Sequence, residues 1–257
     1  MGGALLRGWL ERNLAERYVV VEPAVGARPE TVSPHVTLLA SPASLPPDFD
    51  PAVAVLAVKP QIMAEVLPDY RGYARAGTLF LSIAAGKSLA FLARHLGPDA
   101  KLVRAMPNTP AAIGRGISVA CANRRVDTAS RDAADALLAA VGEVAWIEDE
   151  LWLDAVTALS GSGPAYVFLL IEAMTMAGMV AGLPEDLSDK LARATVAGAG
   201  ELARVSPESA AALREAVTSP GGTTLAALDV LMGRDGIEPL LARAILAAAK
   251  RSRELAE

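Results

Sequence analysis

The segment VAVLAVKPQ, residues 53–61, is a run of six apolar residues that ends abruptly in a lysine and a proline. Continuous apolar runs of this kind are typical of strands that are buried on both faces of a parallel sheet. Further segments have strand character: Tyr18–Glu22, Val36–Leu39, Thr78–Ile83, Lys101–Met106, Ile117–Ala122 and Glu143–Ile147. Helical segments are expected between them, at Ala4–Arg17, Ile62–Tyr73, Ser88–Leu96 and Thr128–Val141. Strands that alternate with helices predict an α/β domain with a doubly wound, Rossmann-type parallel sheet.

The strand pattern stops near Glu148, and the rest of the chain has helical character. Prolines such as Pro164 and Pro184 fall where first helical turns are expected. The predicted helices are Asp149–Ala158, Pro164–Ala181, Pro184–Arg204, Pro207–Val217, Thr223–Met232 and Gly236–Glu254. We therefore predict a dinucleotide-binding, Rossmann-like domain over residues 1–148 and an all-α domain over residues 149–257.

The composition narrows the class of protein. With 257 residues, 53% of them hydrophobic and 21% charged, the chain can bury a large core. A formal net charge of -5 without a long basic run argues against a nucleic-acid partner. The single cysteine, Cys121, excludes an internal disulfide, suits a cytoplasmic location and is best explained as a small core residue. The histidines, His35 and His95, have no ligand-spaced partners, so we expect no metal site.

The segment Ala165–Leu183 carries one charged residue, Glu172, and approaches the length of a membrane span. Pro164 precedes it, Gly178 and Gly182 weaken it, and no basic cluster flanks it. A helix that is apolar on all sides can equally be buried in a subunit interface. We favour the interface and expect a homo-oligomer rather than a membrane partner.

Three loops that follow predicted strands carry small or polar side chains. Ligands of doubly wound sheets bind beyond the carboxyl ends of the strands, so these loops are expected to meet at one edge. Taken singly, each has an ordinary explanation, such as a solvated lysine or an Asx turn. The presence of three such loops at one edge of the sheet indicates a nucleotide-binding site. The three loops are Lys59-Pro60-Gln61, Ala84-Ala85-Gly86 and Pro107-Asn108-Thr109-Pro110.

The most informative loop is TSPGGTT, residues 218–224, which directly precedes an apolar helical pattern. Proline fixes its own φ, and the two glycines leave the backbone open to a ligand. Thr223 and Thr224 fall where a helix begins, and unpaired amides at a helix N-terminus attract anions. The segment predicts a site for a small carboxylate or phosphate. The alternative is a Pro-Gly turn followed by a threonine N-cap.

In order and spacing, separated motifs over nearly the whole chain resemble the pyrroline-5-carboxylate reductase family. These motifs are AVKPQ at 57–61, SIAAG at 82–86, RAMPNTPAAIGRG at 104–116, ALSGSGPAY at 158–166 and VTSPGGTT at 217–224. The resemblance implies the last step of proline biosynthesis, in which NADPH or NADH reduces the C=N bond of 1-pyrroline-5-carboxylate to give L-proline. It also implies a homodimer with intertwined helical domains, often assembled into larger rings.

The resemblance also implies site residues. Thr224 would hydrogen-bond the ring nitrogen of the substrate, and would either donate the proton or orient an imine that is already protonated. The substrate carboxylate would lie against Ser219, Gly221, Gly222 and Thr223. The cofactor-binding residues would be Gly2, Glu22, Val58, Lys59, Pro60, Ala84, Ala85, Gly86 and Asn108, with Asn108 near the nicotinamide and ribose. Ser162 and Gly163 precede the interface helix and are expected to allow close subunit packing before any substrate contact.

The family opens with a strand and a Gly-x-Gly-x-Met-Gly/Ala turn, whereas this chain begins Met1-Gly2-Gly3 and matches only the end of that turn. Either the natural protein begins upstream or the chain is a degraded relative, and the intact motifs elsewhere favour the first. Gly2 would then pack the first helix against the sheet. We expect Tyr18–Glu22 and Val53–Val58 to have no strand between them, which leaves exposed apolar edges prone to aggregate.

Glu22 lies about 20 residues after Gly2, where an acidic residue commonly binds the ribose 2′-hydroxyl of NAD. Its charge would repel a 2′-phosphate, so the sequence favours NADH. Arg28 could reverse that preference by pairing with the phosphate. A solvated strand end is an equally good explanation of Glu22.

Two other functions remain open. A β-hydroxyacid dehydrogenase would need a catalytic lysine in the helical domain, where only Lys190 and Lys250 occur, neither beside a glycine-rich segment. A non-catalytic nucleotide-binding protein is the alternative from another class, suggested by the incomplete first turn.

Overall fold

The computed structural model describes residues 1–24 and 33–256, which form two compact units. The first comprises Met1–Gly161 and the chain from Ala249 onward, and the second comprises Ser162–Ala248. Each unit is described by itself.

The first unit extends to Gly161 rather than ending at residue 148. Two contacts beyond residue 148 account for this. Leu153 is fully buried in one apolar cluster with Val119 and Cys121. The Asp154 carboxylate accepts a hydrogen bond of 2.6 Å from the Ser252 hydroxyl.

Seven strands occur in the part of the chain that the structure describes. They are β1 (Tyr18–Val21), β2 (Val36–Leu39), β3 (Val53–Leu56), β4 (Leu79–Ser82), β5 (Lys101–Met106), β6 (Gly116–Ala122) and β7 (Gly142–Trp146). Strands β3 to β7 form one sheet in chain order, and β1 pairs with β2 in a separate parallel sheet. The α/β class and the positions of the strands are as predicted.

One pairing in the large sheet corrects the prediction of a parallel sheet throughout. Strands β5 and β6 are antiparallel, with Val103 opposite Ala122 and Met106 opposite Val119. The segment between them contains only the 3-10 turn Thr109–Ile113. A connection this short can reverse the chain but cannot cross back to a parallel neighbour.

Among the described residues, β1 pairs only with β2, and β3 pairs only with β4. The two unpaired edges expected from the sequence are therefore present. Helix α1 (Gly2–Glu11) bridges them, because Leu5 and Trp9 pack in one apolar cluster with Val20 of β1 and Val55 of β3. The Trp9 ring nitrogen also donates to the Leu137 carbonyl oxygen at 2.8 Å.

Besides 3-10 and π-helical turns and the end of the last helix, the first unit contains five further α-helices among its described residues. They are α2 (Met63–Val66), α3 (Arg71–Ala76), α4 (Leu89–Leu96), α5 (Thr128–Ala139) and α6 (Leu153–Val156). The helix predicted over Ile62–Tyr73 is interrupted by a 3-10 turn at Leu67–Tyr70. Pro68 lies in that turn, and proline removes a backbone donor and clashes within a regular helix. Helix α1 ends at Glu11, whereas the sequence predicted Ala4–Arg17.

Both faces of the large sheet are covered. Phe80 and Leu102 are buried on one face with Leu92 of α4. Leu81 and Val103 are buried on the other with Leu138 of α5. This two-sided burial explains why the strands read as continuous apolar runs.

Gly116 and Gly142 face each other where β6 and β7 begin. Gly142 has a φ of +151°, and a Cβ built on it would overlap the Gly116 carbonyl group. Any side chain at position 142 would therefore collide with the neighbouring strand.

The second unit is helical throughout its described residues, as predicted. It contains α7 (Gly163–Val180), α8 (Glu185–Val205), α9 (Ala210–Ala216), α10 (Thr223–Leu231) and most of α11 (Ile237–Ala256). Helices α7 and α8 pack as an antiparallel pair, with Gly178 against Ser188. Large apolar side chains of α7 are exposed, including Phe168 (58%), Leu169 (62%) and Val180 (87%).

Within residues 1–24 and 33–256, one helical stretch, Glu150–Val180, is long and apolar enough to cross a membrane by length and composition alone. This stretch contains α7, and the residues of its most apolar part are not buried within the chain. The apolar side chains of α7 are therefore left exposed to solvent in the single chain.

Candidate functional site

The carboxyl ends of β3, β4 and β5 lie side by side, because these strands are neighbours in the sheet and run parallel. The loops that follow them therefore share one edge. This geometry brings together the predicted cofactor residues of the three loops: Val58, Lys59, Pro60, Ala84, Ala85, Gly86 and Asn108.

The N-terminus of α1 is close to the end of β3. A Cβ on Gly2 would lie 3.1 Å from the Ala57 Cβ, so the expected close packing at Gly2 is present. Met1 is the N-cap residue and supplies no side-chain hydrogen bond to the first amides of the helix. Unpaired amides at a helix start, with the positive end of the helix dipole, attract a phosphate group.

Local hydrogen bonds and one glycine define the conformation of the loop after β4. The Ser82 hydroxyl accepts a hydrogen bond from the Ala84 amide at 3.4 Å. Gly86 is buried and has a φ of +73°, a left-handed conformation that favours glycine. Ser88 caps α4 by accepting from the Phe91 amide at 3.0 Å. The small side chains leave room for a ligand to contact the backbone.

Asn108 is held by two hydrogen bonds within the protein. Its Nδ2 donates to the Ser160 carbonyl oxygen at 3.2 Å, and its Oδ1 accepts from the Ile117 amide at 3.0 Å. Ser160 lies in the π-helical turn Thr157–Gly161. Asn108 makes no side-chain capping bond to the turn that follows it, so the Asx-turn alternative is wrong. Its side chain joins the end of β5 to the start of β6 and to the π-helical turn.

Glu22 follows β1 and is half-buried. Its Oε1 accepts a hydrogen bond of 2.9 Å from the Ala24 amide. A carboxylate has a second acceptor oxygen, to which a ribose hydroxyl could donate. Lys59 is exposed beside the end of β3. Arg28, the residue predicted to reverse the cofactor preference, lies outside the described residues.

The sequence analysis gave no role to Arg104 and Glu150, which form an ion pair of 2.8 Å between Nη1 and Oε1. The Arg104 side chain is only 9% exposed, and the same Glu150 oxygen accepts from the Leu89 amide at 2.8 Å. The signal was available in the strand KLVRAM, because a guanidinium in a buried strand requires an anion nearby.

Cys121 lies beside this ion pair and is not a nucleophile. Burial, and secondly the negative charge of Glu150, raise the pKa of the Cys121 thiol to about 12. The thiol is therefore protonated at neutral pH, as expected for a core residue.

We expect the native protein to resist thiol labelling. At pH 8 a disulfide reagent such as dithionitrobenzoate should leave Cys121 unreacted for hours, because the thiol is buried and its pKa is near 12. In concentrated guanidinium chloride the same sample should release one equivalent of thionitrobenzoate per chain. Fast labelling of the native protein would contradict this account.

The segment TSPGGTT, in the second unit, forms a turn and a helix start. The Gly222 amide donates to the Ser219 carbonyl oxygen at 3.0 Å. Pro220 precedes Gly221, whose φ is +68°, which is the pattern of a type II turn. Gly222 is the N-cap residue of α10, so the threonine N-cap considered as an alternative is wrong.

The first amides of α10 are consequently free of any side-chain cap. A Cβ at position 222 would require the Ser219 hydroxyl to rotate away and would lie 3.1 Å from the Ser219 carbonyl oxygen, so the turn leaves little room for a side chain there. Thr224 is half-buried and Thr223 is exposed. A groove of about 350 Å³ beside Thr218 and Leu225 is lined by one cationic side chain, Arg214, and by the carboxylates of Glu215 and Asp229. The feature that suits a small anion is therefore the uncapped start of α10.

Residues 150–255 match the family model described as pyrroline-5-carboxylate reductase dimerisation. A pyrroline-5-carboxylate reductase of Synechocystis is 39% identical over 259 residues, which cover 99% of this chain and 96% of the relative. A pyrroline-5-carboxylate reductase of Pseudomonas aeruginosa is 46% identical over 208 residues, covering 81% and 76%.

Solved structures of such reductases are also similar to this chain. A pyrroline-5-carboxylate reductase from Coxiella burnetii superposes with a TM-score of 0.89 at 31% identity, covering 99% of this chain and 94% of that one. A pyrroline carboxylate reductase from Plasmodium falciparum with NADP bound gives a TM-score of 0.82 at 29% identity, covering 100% and 95%.

Proposed function

The chain belongs to the pyrroline-5-carboxylate reductase family, and from that premise we propose that it reduces 1-pyrroline-5-carboxylate to L-proline with NADPH or NADH. The observation that carries the proposal is the uncapped start of α10 behind the TSPGGTT turn. It offers a small carboxylate several amides at once, in a chain that matches named reductases over nearly its full length.

The first unit would hold the nicotinamide nucleotide. The free amides at the start of α1 fit a pyrophosphate, and the small loop Ala84–Gly86 leaves space above the edge of the sheet. Glu22 would bind a ribose hydroxyl, and Asn108 would lie near the nicotinamide end. When bound, the cofactor supplies the hydride that reduces the imine carbon.

The second unit would hold the substrate. The amides of Thr223 and Thr224 would bind the carboxylate, assisted by the Ser219 hydroxyl and by close approach to Gly221 and Gly222. The Thr224 hydroxyl would hydrogen-bond the ring nitrogen. A threonine hydroxyl is a weak acid, so its principal role would be to orient a protonated imine and to stabilise that geometry.

The protein is a homo-oligomer, in agreement with the dimerisation model that covers residues 150–255. We propose that the interface is made by the helical unit and that a second copy covers the exposed side chains of α7. Phe168, Leu169 and Val180 would then be buried against protein rather than lipid. A Cβ on Gly163 would meet nothing within 4 Å in the single chain, so a partner could approach closely there. We expect this oligomer in the cytoplasm.

The activity test is direct. Oxidation of NADPH and NADH should be followed at 340 nm with 1-pyrroline-5-carboxylate, and L-proline should be identified as the product. Steady oxidation that requires the imine supports the reductase. Cofactor binding without any turnover would overturn the proposal and favour a non-catalytic nucleotide-binding protein.

Cofactor choice gives a separate prediction. Glu22→Ser should improve kcat/KM for NADPH relative to NADH by at least about fivefold, because two unit charges about 4 Å apart in water repel by about 1 kcal/mol. Initial rates with both cofactors would measure the ratio. The exposed Glu16, replaced in the same way, is the matched control. An unchanged NADPH/NADH ratio in Glu22→Ser would show that this carboxylate does not contact the ribose.

A further inference from the structure

The Glu150 carboxylate connects three elements of the first unit. Glu150 begins the 3-10 turn that follows β7. Its Oε1 accepts from Arg104 Nη1 on β5 and from the backbone amide of Leu89, the first residue of α4, both at 2.8 Å. One carboxylate oxygen therefore fixes the start of α4 relative to the centre of the sheet.

Arg104 is well placed to hold that carboxylate. It lies on the central strand β5, opposite Ser82 of β4 and Cys121 of β6. Residues opposite one another in a sheet share a face, so Ser82, Arg104 and Cys121 form a row on one side. The flanking serine and cysteine are small, and the guanidinium is almost fully enclosed.

The loop between β4 and α4 is consequently bonded at both ends. At its beginning, the Ser82 hydroxyl accepts from the Ala84 amide. At its end, Glu150 accepts from the Leu89 amide. The bonded segment contains Ala84, Ala85 and Gly86, the residues assigned to the cofactor. Neither Ser82 nor Glu150 belongs to that segment.

The bond at Leu89 is a strong one. The amide belongs to the first turn of α4, where N–H groups have no partner within the helix. A carboxylate there also interacts favourably with the helix dipole, and hydrogen bonds to charged groups contribute more than neutral ones. Removal of the carboxylate would leave both the Leu89 amide and the Arg104 guanidinium without this partner.

We propose that Glu150, held by Arg104, is a positioning residue that fixes the loop of residues 83–88 for binding of the nicotinamide nucleotide. The inference rests on the proposed function, since the loop is assigned to the cofactor there. Glu150 acts through the Leu89 amide and touches neither cofactor nor substrate.

The test compares Glu150→Ala, Glu150→Gln and Glu148→Ala, the last an exposed glutamate two positions away. NADPH affinity is measured by fluorescence titration, and hydrogen exchange is measured over residues 83–89. We expect Glu150→Ala to weaken NADPH binding by about tenfold, as loss of a charged hydrogen bond would. Exchange at Leu89 should rise, and kcat at saturating NADPH should fall much less. Glu150→Gln keeps an acceptor and should recover most of the affinity.

A merely structural role predicts a different outcome. If Glu150→Ala lowers the melting temperature but leaves both NADPH affinity and exchange at Leu89 unchanged, the positioning role is overturned. If Glu150→Ala does not fold, Glu150→Gln decides by the same two measurements. If the unmodified protein binds neither NADPH nor NADH, the proposed function fails, and exchange at Leu89 alone then supports or overturns the positioning of the loop.

Discussion

Thr224→Ala is expected to lower kcat about 100-fold while leaving NADPH affinity unchanged. A positioned proton donor or imine-orienting hydroxyl typically contributes a factor of this size or more. The cofactor residues all lie in the other unit, so removal of this hydroxyl does not alter them. Steady-state kinetics with 1-pyrroline-5-carboxylate, combined with NADPH titration, would separate the two quantities.

Two controls sharpen the Thr224 experiment. Thr224→Ser keeps the hydroxyl and should retain most of the turnover. Thr218→Ala removes a neighbouring hydroxyl that is already used, since its Oγ1 donates to the Arg214 carbonyl oxygen at 2.7 Å. Equal kcat for Thr224→Ala and the unmodified enzyme would remove Thr224 from the mechanism.

Gly142→Ala is expected to destabilise the first unit by more than about 4 kcal/mol, which is a large part of the roughly 5–15 kcal/mol by which most proteins are stable. Its φ of +151° is poorly accessible to alanine. The new Cβ would also overlap the Gly116 carbonyl of the paired strand. The start of the β6–β7 ladder would have to separate. Urea unfolding followed by circular dichroism would measure the loss.

Gly97→Ala is the matched control for Gly142→Ala. Gly97 also has a positive φ, +118°, but a Cβ there would meet nothing within 4 Å. Its replacement should cost only the backbone strain, about 1–3 kcal/mol. Equal losses at the two positions would show that the clash with Gly116 is relieved by local movement.

The strands of the first unit were predictable because local patterns determine them. Strands β2 and β5 have the predicted bounds, since their β-branched and apolar residues are flanked by turn residues. The two unpaired edges were predicted from the resemblance, because the family's opening strand would lie between them. The direction in which neighbouring strands pair was not predictable from local patterns. The segment Pro107–Pro110 was interpreted as a ligand loop, although it is also the place where the chain reverses.

The candidate site was predictable where its chemistry is local. The TSPGGTT turn depends on its own proline, glycines and backbone amides, so the sequence indicated an anion site. Residues that act through distant partners were missed. Asn108 bonds to Ser160, and Leu89 bonds to Glu150, each across more than 50 positions of sequence. No local pattern encodes such a pair.

The bare apolar surface of α7 has a thermodynamic consequence. Side chains such as Phe168 and Val180 are exposed in the single chain, and in the proposed interface a second copy buries them. Mass action then couples folding to association. The stability of this enzyme against heat or denaturant therefore depends on its concentration as well as on its sequence. Dilution lowers that stability although the sequence is unchanged.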